Sequence, residues 1–371
     1  MQHLYVHVPF CTRRCSYCDF AIAVRKRVPV DEFVTAIDRE LSVRLTESDR
    51  WTIETLYFGG GTPSRLGGEG VARLLDVVRR HVDVAANAEV TLEANPEDVD
   101  RQSVKAWRTA GINRLSIGAQ SFDDAILAWM HRTHDAAAID RAVESARDGG
   151  IENHSLDLIF AVPEILDRDW DSDLARAVGL APEHVSLYGL TLEQRTPLGR
   201  SHARGELLEA PEERYEQEFL HAHHVLAAAG FEHYEVSNFS KPGRRSRHNS
   251  AYWKGVQYLG VGPSAHGFDR TVRRWNADAF TEWLRRLQSG VDPVSGSEVL
   301  SAENRIAEEV YLGLRTTCGL ILSVDEANHV APWIDAGWAT LQADLRLVLS
   351  PLGWLRLDSL AADLTLFRSR L

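Results

Sequence analysis

Cysteine is scarce in this chain, four residues in 371, so a disulfide framework is excluded as the source of stability. Positive charge is also in deficit. Lys and Arg total 41 against 53 Asp and Glu, and the net charge of −12 argues against a surface built to coat phosphate backbones. Nucleic acid is therefore not an expected partner. No apolar run approaches the roughly 18 to 20 residues of a spanning helix. The opening Met-Gln-His-Leu-Tyr carries no basic stretch followed by an apolar one, and the expectation is a cytoplasmic protein. What the chain does have is 44% hydrophobic and 25% charged residues, enough for one large folded domain or two unequal ones.

Up to about residue 235, short β-rich runs alternate with stretches of helical period. Strands are expected over 4–8, 55–58, 89–93, 114–117, 154–159 and 184–190. Helices are expected over 31–46, 69–81, 103–110, 136–149, 170–178 and 212–229. In the first helix Phe33, Val34, Ile37, Leu41 and Leu45 make one apolar stripe. Six strand-helix units in sequence imply a parallel sheet, an incomplete barrel or a doubly wound one, with ligands at the carboxyl ends of the strands. Beyond 235 the rhythm changes to a loop-rich stretch, 236–268, holding Gly, Ser, Asn, aromatic and basic residues, and then to a mostly helical pattern. The last piece reads as short strands over 345–349 and 354–357, around Pro351 and Gly353, then a helix over 360–366.

Three of the four cysteines, Cys11, Cys15 and Cys18, fall in CTRRCSYC directly after the first expected strand. A zinc site ordinarily wants a fourth nearby Cys or His; three close thiolates better suit a 4Fe-4S cluster with one iron left open. This C-x3-C-x2-C loop resembles the signature of radical S-adenosylmethionine (SAM) proteins. The resemblance implies a partial (β/α)6 barrel, a 4Fe-4S cluster on Cys11, Cys15 and Cys18, and SAM bound at its open iron. It also assigns SAM contacts to residues at successive strand ends. Gly60, Gly61 and Thr62 stand in FGGGTPS, Glu93 in TLEANPE, Gln120 in SIGAQSF, Arg132 in MHRTH and Asp157 in DLIF, with Tyr5 six residues before the first cysteine. Cys318 is read as a thiol without a role.

YVHVPFC, FGGGTPS, TLEANPE, RLSIGAQSF, DLIFAVP and EVSNFSKPG together resemble the coproporphyrinogen dehydrogenase-like branch of these proteins. Two functions divide that branch. The oxygen-independent dehydrogenase, which decarboxylates porphyrinogen propionates, carries a fourth cysteine two residues after the third; this chain has Phe20 there. The segment Arg247-His248-Asn249-Ser250-Ala251-Tyr252-Trp253 is similar to the H-N-x-x-Y-W motif of HemW-type heme chaperones. That resemblance implies heme as ligand, apo-hemoproteins as recipients and His248 as a heme contact, with His266 a secondary candidate. Lys241, Arg244, Arg245 and Arg247 are then placed to meet heme propionates. A monomer or weak homodimer is expected, touching a membrane only peripherally through its acceptors. The expected layout is a radical SAM core over 1–235, the heme-motif segment over 236–285, and a small, mainly helical, winged-helix-like domain over 286–371. One departure stands out: Ala161-Val162-Pro163-Glu164 replaces the branch's usual Gly-Leu-Pro-Gly, a loss of two glycines expected to reshape the loop.

Overall fold

Each expected strand-helix unit is found in the computed structural model, which describes residues 1–45 and 51–370. Strand β1 (His3–Val8) leads to a short parallel pair, β2 (Phe10–Cys11) and β3 (Ala23–Val24), that brackets the cysteine loop, followed by α1 (Val30–Arg44). Then come β4 (Thr52–Gly60), α2 (Gly67–His81), β5 (Asp83–Ala94), α3 (Arg101–Ala110) and β6 (Arg114–Gln120). Next are α4 (Asp124–Trp129), α5 (Ala136–Asp148), β7 (His154–Phe160), α6 (Trp170–Gly179) and β8 (His184–Gly189). The expected first helix runs to Thr46, which lies outside the described residues. Its stripe is realised: Phe33, Ile37 and Leu41 are fully buried. Asp100, Asp135 and Asp169 cap α3, α5 and α6 by accepting backbone N–H bonds in the first turn, which is why those helices start where they do.

After α7 (Pro197–Ala203) and α8 (Glu212–Ala228), a hairpin of β9 (Glu232–Glu235) and β10 (Asn238–Ser240) adds antiparallel to β8. Helix α9 (Arg247–Trp253) follows, and β11 (Leu259–Val261) crosses to the far edge to pair parallel with β1. The sheet therefore has nine strands in the order β11-β1-β4-β5-β6-β7-β8-β10-β9, parallel from β11 through β8. The stretch 236–285 thus supplies two sheet strands. It continues through β12 (His266–Phe268), β13 (Val272–Asn276) and α10 (Phe280–Gln288), and β13 pairs onward with β14 (Val294–Val299), so strand pairing crosses residue 285. Glu40 of α1, with no exposed surface, fastens this segment down: its carboxylate accepts from Gly262 N at 2.8 Å, Asn276 Nδ2 at 2.6 Å and Trp283 Nε1 at 2.8 Å.

The terminal part combines α11 (Ala302–Leu314), β15 (Leu320–Ile321), α12 (Val324–His329) and α13 (Ala331–Asp335) with β16 (Ala339–Leu341), β17 (Arg346–Leu349), α14 (Pro351–Trp354) and α15 (Leu357–Arg368). Its three strands form an antiparallel sheet, β15-β17-β16. The strand expected over 354–357 is not there. Ser350 accepts the N–H of Gly353, and Pro351 takes the first helical position, where its missing N–H costs nothing, so the chain turns into α14. No helix among the described residues is long and apolar enough to cross a membrane.

Candidate functional site

The parallel strands aim their carboxyl ends at one face, and there a cavity of about 460 Å³ opens, lined by all three clustered cysteines. Strand β6 shows how the sequence builds its wall. Side chains alternate across a strand, and the even-numbered Arg114, Ser116, Gly118 and Gln120 all line the cavity, while Leu115, Ile117 and Ala119 are buried in the core behind it. At about 3.3 Å per residue this row runs roughly 20 Å, from the strand's start to the cysteine loop. The cavity is a shaft within the barrel.

At the upper end Cys11 Sγ lies 3.4 Å from Thr62 Oγ1, and Arg132 brings a guanidinium nitrogen to 3.5 Å from Cys15 Sγ. Arg132 is fixed by Asn95 Oδ1 at 2.8 Å and the Gly118 carbonyl at 3.0 Å. Burial pushes the Cys11 thiol up and the Cys18 thiol to about 11, so binding a metal there displaces protons. Among the described residues no three His, Cys, Asp or Glu side chains are gathered around a point that would suit one ion. A single zinc is thus not preformed; a cluster, in which each thiolate takes a different iron, needs no such point.

The glycine loop closes on this end. Gly60 has φ +112°, and a Cβ there would fall 2.6 Å from the His7 ring; a Cβ on Gly61 would lie 2.6 Å from the Pro9 backbone. Glycine is therefore required where the loop passes the His7 ring and then the Pro9 backbone. The Gly60 N–H donates to Glu93 Oε2 at 3.0 Å, and Tyr57 donates its hydroxyl to Oε1 at 2.8 Å. Burial nonetheless prevails over these two bonds and pushes the Glu93 carboxyl up to about 7. Burial also raises the Asp157 carboxyl, which accepts from the hydroxyls of Ser116 at 2.8 Å and Ser155 at 3.1 Å. Gln120 enters the shaft with φ +68°, a left-handed conformation that a non-glycine residue adopts at a cost, of the kind found where a side chain is held for a task.

A protein-family model for the radical SAM superfamily matches residues 5–177. The heme chaperone HemW of Mycobacterium tuberculosis (strain ATCC 25618 / H37Rv) is 37% identical over 367 residues, covering 97% of this chain and 94% of that protein. This chain belongs to the HemW heme chaperone family. HemW of Bacillus subtilis (strain 168) is 33% identical over 321 residues, 86% of this chain and 85% of the relative. Among solved structures, coproporphyrinogen III oxidase (HemN) from Escherichia coli, a radical SAM enzyme, superposes with a TM-score of 0.82 over 99% of this chain and 90% of its own; at 21% identity the likeness bears on the fold alone.

The residues singled out in sequence separate into two groups. Cys11, Cys15, Cys18, Gly60, Gly61, Thr62, Glu93, Gln120, Arg132 and Asp157 all line the one shaft. Tyr5 does not; it stands behind Tyr57, ring centroids 6.0 Å apart, with its hydroxyl 3.3 Å from His7 Nδ1. His248 is not in the shaft either. Helix α9 plugs the opposite, amino end of the barrel, where the backbone N–H groups of Arg247 and His248 donate to the Glu89 carboxylate at 3.0 and 2.9 Å. The His248 ring is 1% exposed, and both its nitrogens are engaged, with Thr55 Oγ1 at 2.7 Å and the Tyr252 hydroxyl at 2.8 Å. Burial pushes its pKa down to about 3, so it stays neutral as a brace. The motif residue that does reach the shaft is Asn249. The expected propionate partners stand outside the shaft as well: Arg244 pairs with Glu183, Arg245 with Glu232 and Arg247 with Glu54, while Lys241 donates to the Ala229 carbonyl. His266 is exposed and stacks 5.9 Å from Trp275, outside the shaft.

Sequence reasoning missed Tyr57, Arg114, Ser116, Ser186, Tyr188 and His131, all of which line the shaft. Counting back by twos from Gln120 identifies Arg114 and Ser116. Of the two lost glycines, only the first sits in a left-handed position: Ala161 has φ +55° and Glu164 does not. Neither faces the shaft; Ala161 is turned into the core, its N–H donating to Glu218 Oε2 at 2.7 Å.

Proposed function

We propose that this protein binds heme and passes it to apo-hemoproteins from a radical SAM scaffold. In this reading Cys11, Cys15 and Cys18 hold a 4Fe-4S cluster, and Gly60, Gly61, Thr62, Glu93, Gln120, Arg132 and Asp157 receive SAM. The observation that carries the reading is identity to HemW heme chaperones along nearly the whole chain, together with three thiols opening into one shaft. The donor set fits these groups. The thiols are free, and the Arg132 guanidinium stands 3.5 Å from Cys15 Sγ. Below them Glu93 and Asp157 present carboxylate acceptors for hydroxyl groups, and backbone packs closely at Gly61. When bound, the reduced cluster and SAM supply one-electron radical chemistry; the protein binds and orients them.

The work of this chain's own residues is positional. Arg132 ties the cysteine loop to β6, Tyr57 and Gly60 N fix the Glu93 carboxylate, and three barrel-facing hydroxyls surround Asp157, with Ser186 joining Ser116 and Ser155. Position 20, a cysteine in the dehydrogenase branch, is here a phenylalanine, 58% exposed, at the rim of the shaft. Heme transfer is therefore favoured over porphyrinogen decarboxylation. We place the protein in the cytoplasm as a monomer or weak homodimer that meets membranes through its acceptors. Anaerobic reconstitution with iron, sulfide, SAM and heme tests the proposal: stoichiometric heme binding and transfer to an apo-acceptor, without conversion of coproporphyrinogen III, is expected. Turnover of coproporphyrinogen III to protoporphyrinogen IX, or absence of heme binding, overturns it.

A further inference from the structure

We infer that heme docks across the mouth of the shaft, beside the cysteine loop, with His131 as its iron ligand. The inference rests on the heme-binding reading above and says where on the molecule it operates. An iron ligand needs a ring nitrogen with a free lone pair at a surface a tetrapyrrole can cover, and most of the 15 histidines lack one. His7, His134, His154, His184, His233 and His248 are buried. His81, His221 and His329 lie against Asp38, Asp171 and Asp363. His3 and His202 bond through Nδ1 to Thr55 Oγ1 and the Leu207 carbonyl, which leaves Nε2 free, but neither lines the shaft. Nor do His223, His224 and His266. Among the described residues His131 is the one histidine that lines the shaft, and its ring has no hydrogen-bond partner there.

His131 is also held in place by its backbone. Its φ of +59° is left-handed, and the turn is pinned on both sides by His131 N–H to the Ala128 carbonyl at 3.0 Å and Arg132 N–H to the Leu127 carbonyl at 2.8 Å. The side chain is therefore presented from a rigid turn at the rim while remaining exposed. The surroundings suit a flat apolar ligand with an anionic edge. Phe20 and Tyr188, 58% and 47% exposed, line the same opening, an unusual outlay of large apolar surface that a porphyrin face would cover. Arg13 also stands there, donating to the Arg132 carbonyl, with exposed guanidinium N–H groups to spare for a propionate.

The test uses the full chain, titrated with heme and, separately, with metal-free protoporphyrin IX. His131→Gly suits the left-handed turn and is expected to fold as the parent does. It should weaken heme binding on the order of tenfold or more while leaving protoporphyrin IX affinity unchanged, and added imidazole should restore the ligated heme spectrum. Phe20→Ala should weaken both ligands. Unchanged heme affinity and spectrum in His131→Gly would overturn the inference while leaving the heme-binding function standing. So would loss of the ligated spectrum in a folded His248→Ala variant alone. If the parent chain binds no heme at all, the proposed function itself fails.

Discussion

Gly60 offers the sharpest quantitative test of the shaft's upper end. Replacing it by alanine forces an L-residue to φ +112°, costing about 1–2 kcal/mol. It also drives a Cβ to 2.6–2.8 Å from three atoms of the His7 ring. His7 cannot retreat freely, because its Nε2 meets the Ala21 carbonyl at 2.9 Å and the ring is 7% exposed; such overpacking costs about 1–3 kcal/mol. Gly60→Ala should therefore lose about 2–5 kcal/mol in urea unfolding at neutral pH. A double-mutant cycle with His7→Ala separates the parts: the collision vanishes when the ring is removed, whereas the dihedral cost does not. A coupling energy of about 1–3 kcal/mol with a residual loss of about 1–2 is expected. A single-mutant loss below about 1 kcal/mol, or zero coupling to His7, would refute the reasoning.

Glu93 has its pKa raised from 4.5 to about 7, so the folded state binds the extra proton between those values. Its contribution to stability is accordingly lost as pH rises from about 4.5 to about 7, and Glu93→Gln should flatten the pH dependence of the urea midpoint across that window. An identical profile in parent and variant would count against it. Arg315 pairs with the fully buried Glu235 at 3.0 Å and lies 4.1 Å over the Trp253 ring, so Arg315→Ala should cost about 3–5 kcal/mol by stranding a charge; Arg315→Ala with Glu235→Gln should recover part of it. Cys318 is exposed, and alkylating it in a Cys318-only accessible state of the reconstituted protein should leave cluster absorbance and heme stoichiometry as they were.

The βα rhythm was legible because each crossover helix carries one apolar stripe and each strand a short apolar run, as Phe33, Ile37 and Leu41 show in α1. The shaft was legible where Gly60 and Gln120 end their strands and Asp157 lies within β7. It was not legible at depth, since Arg114 looks in sequence like any surface arginine and becomes a wall residue only through the register of β6. Helix α9 was expected as part of a loop-rich stretch; it forms a short helix whose His248 bonds Glu89 through its backbone N–H and Thr55 through its ring. The C-terminal segment misled because Pro351 reads equally as a break or a first turn, and only Ser350 decides between them.

The period-two row on β6 also bears on the strand's register. Shifting β6 by a single residue against its neighbours would exchange Arg114, Ser116 and Gln120 for Leu115, Ile117 and Ala119, turning charge into the core and hydrocarbon into the shaft at one stroke. In β6 the chain's length is therefore as constrained as its composition.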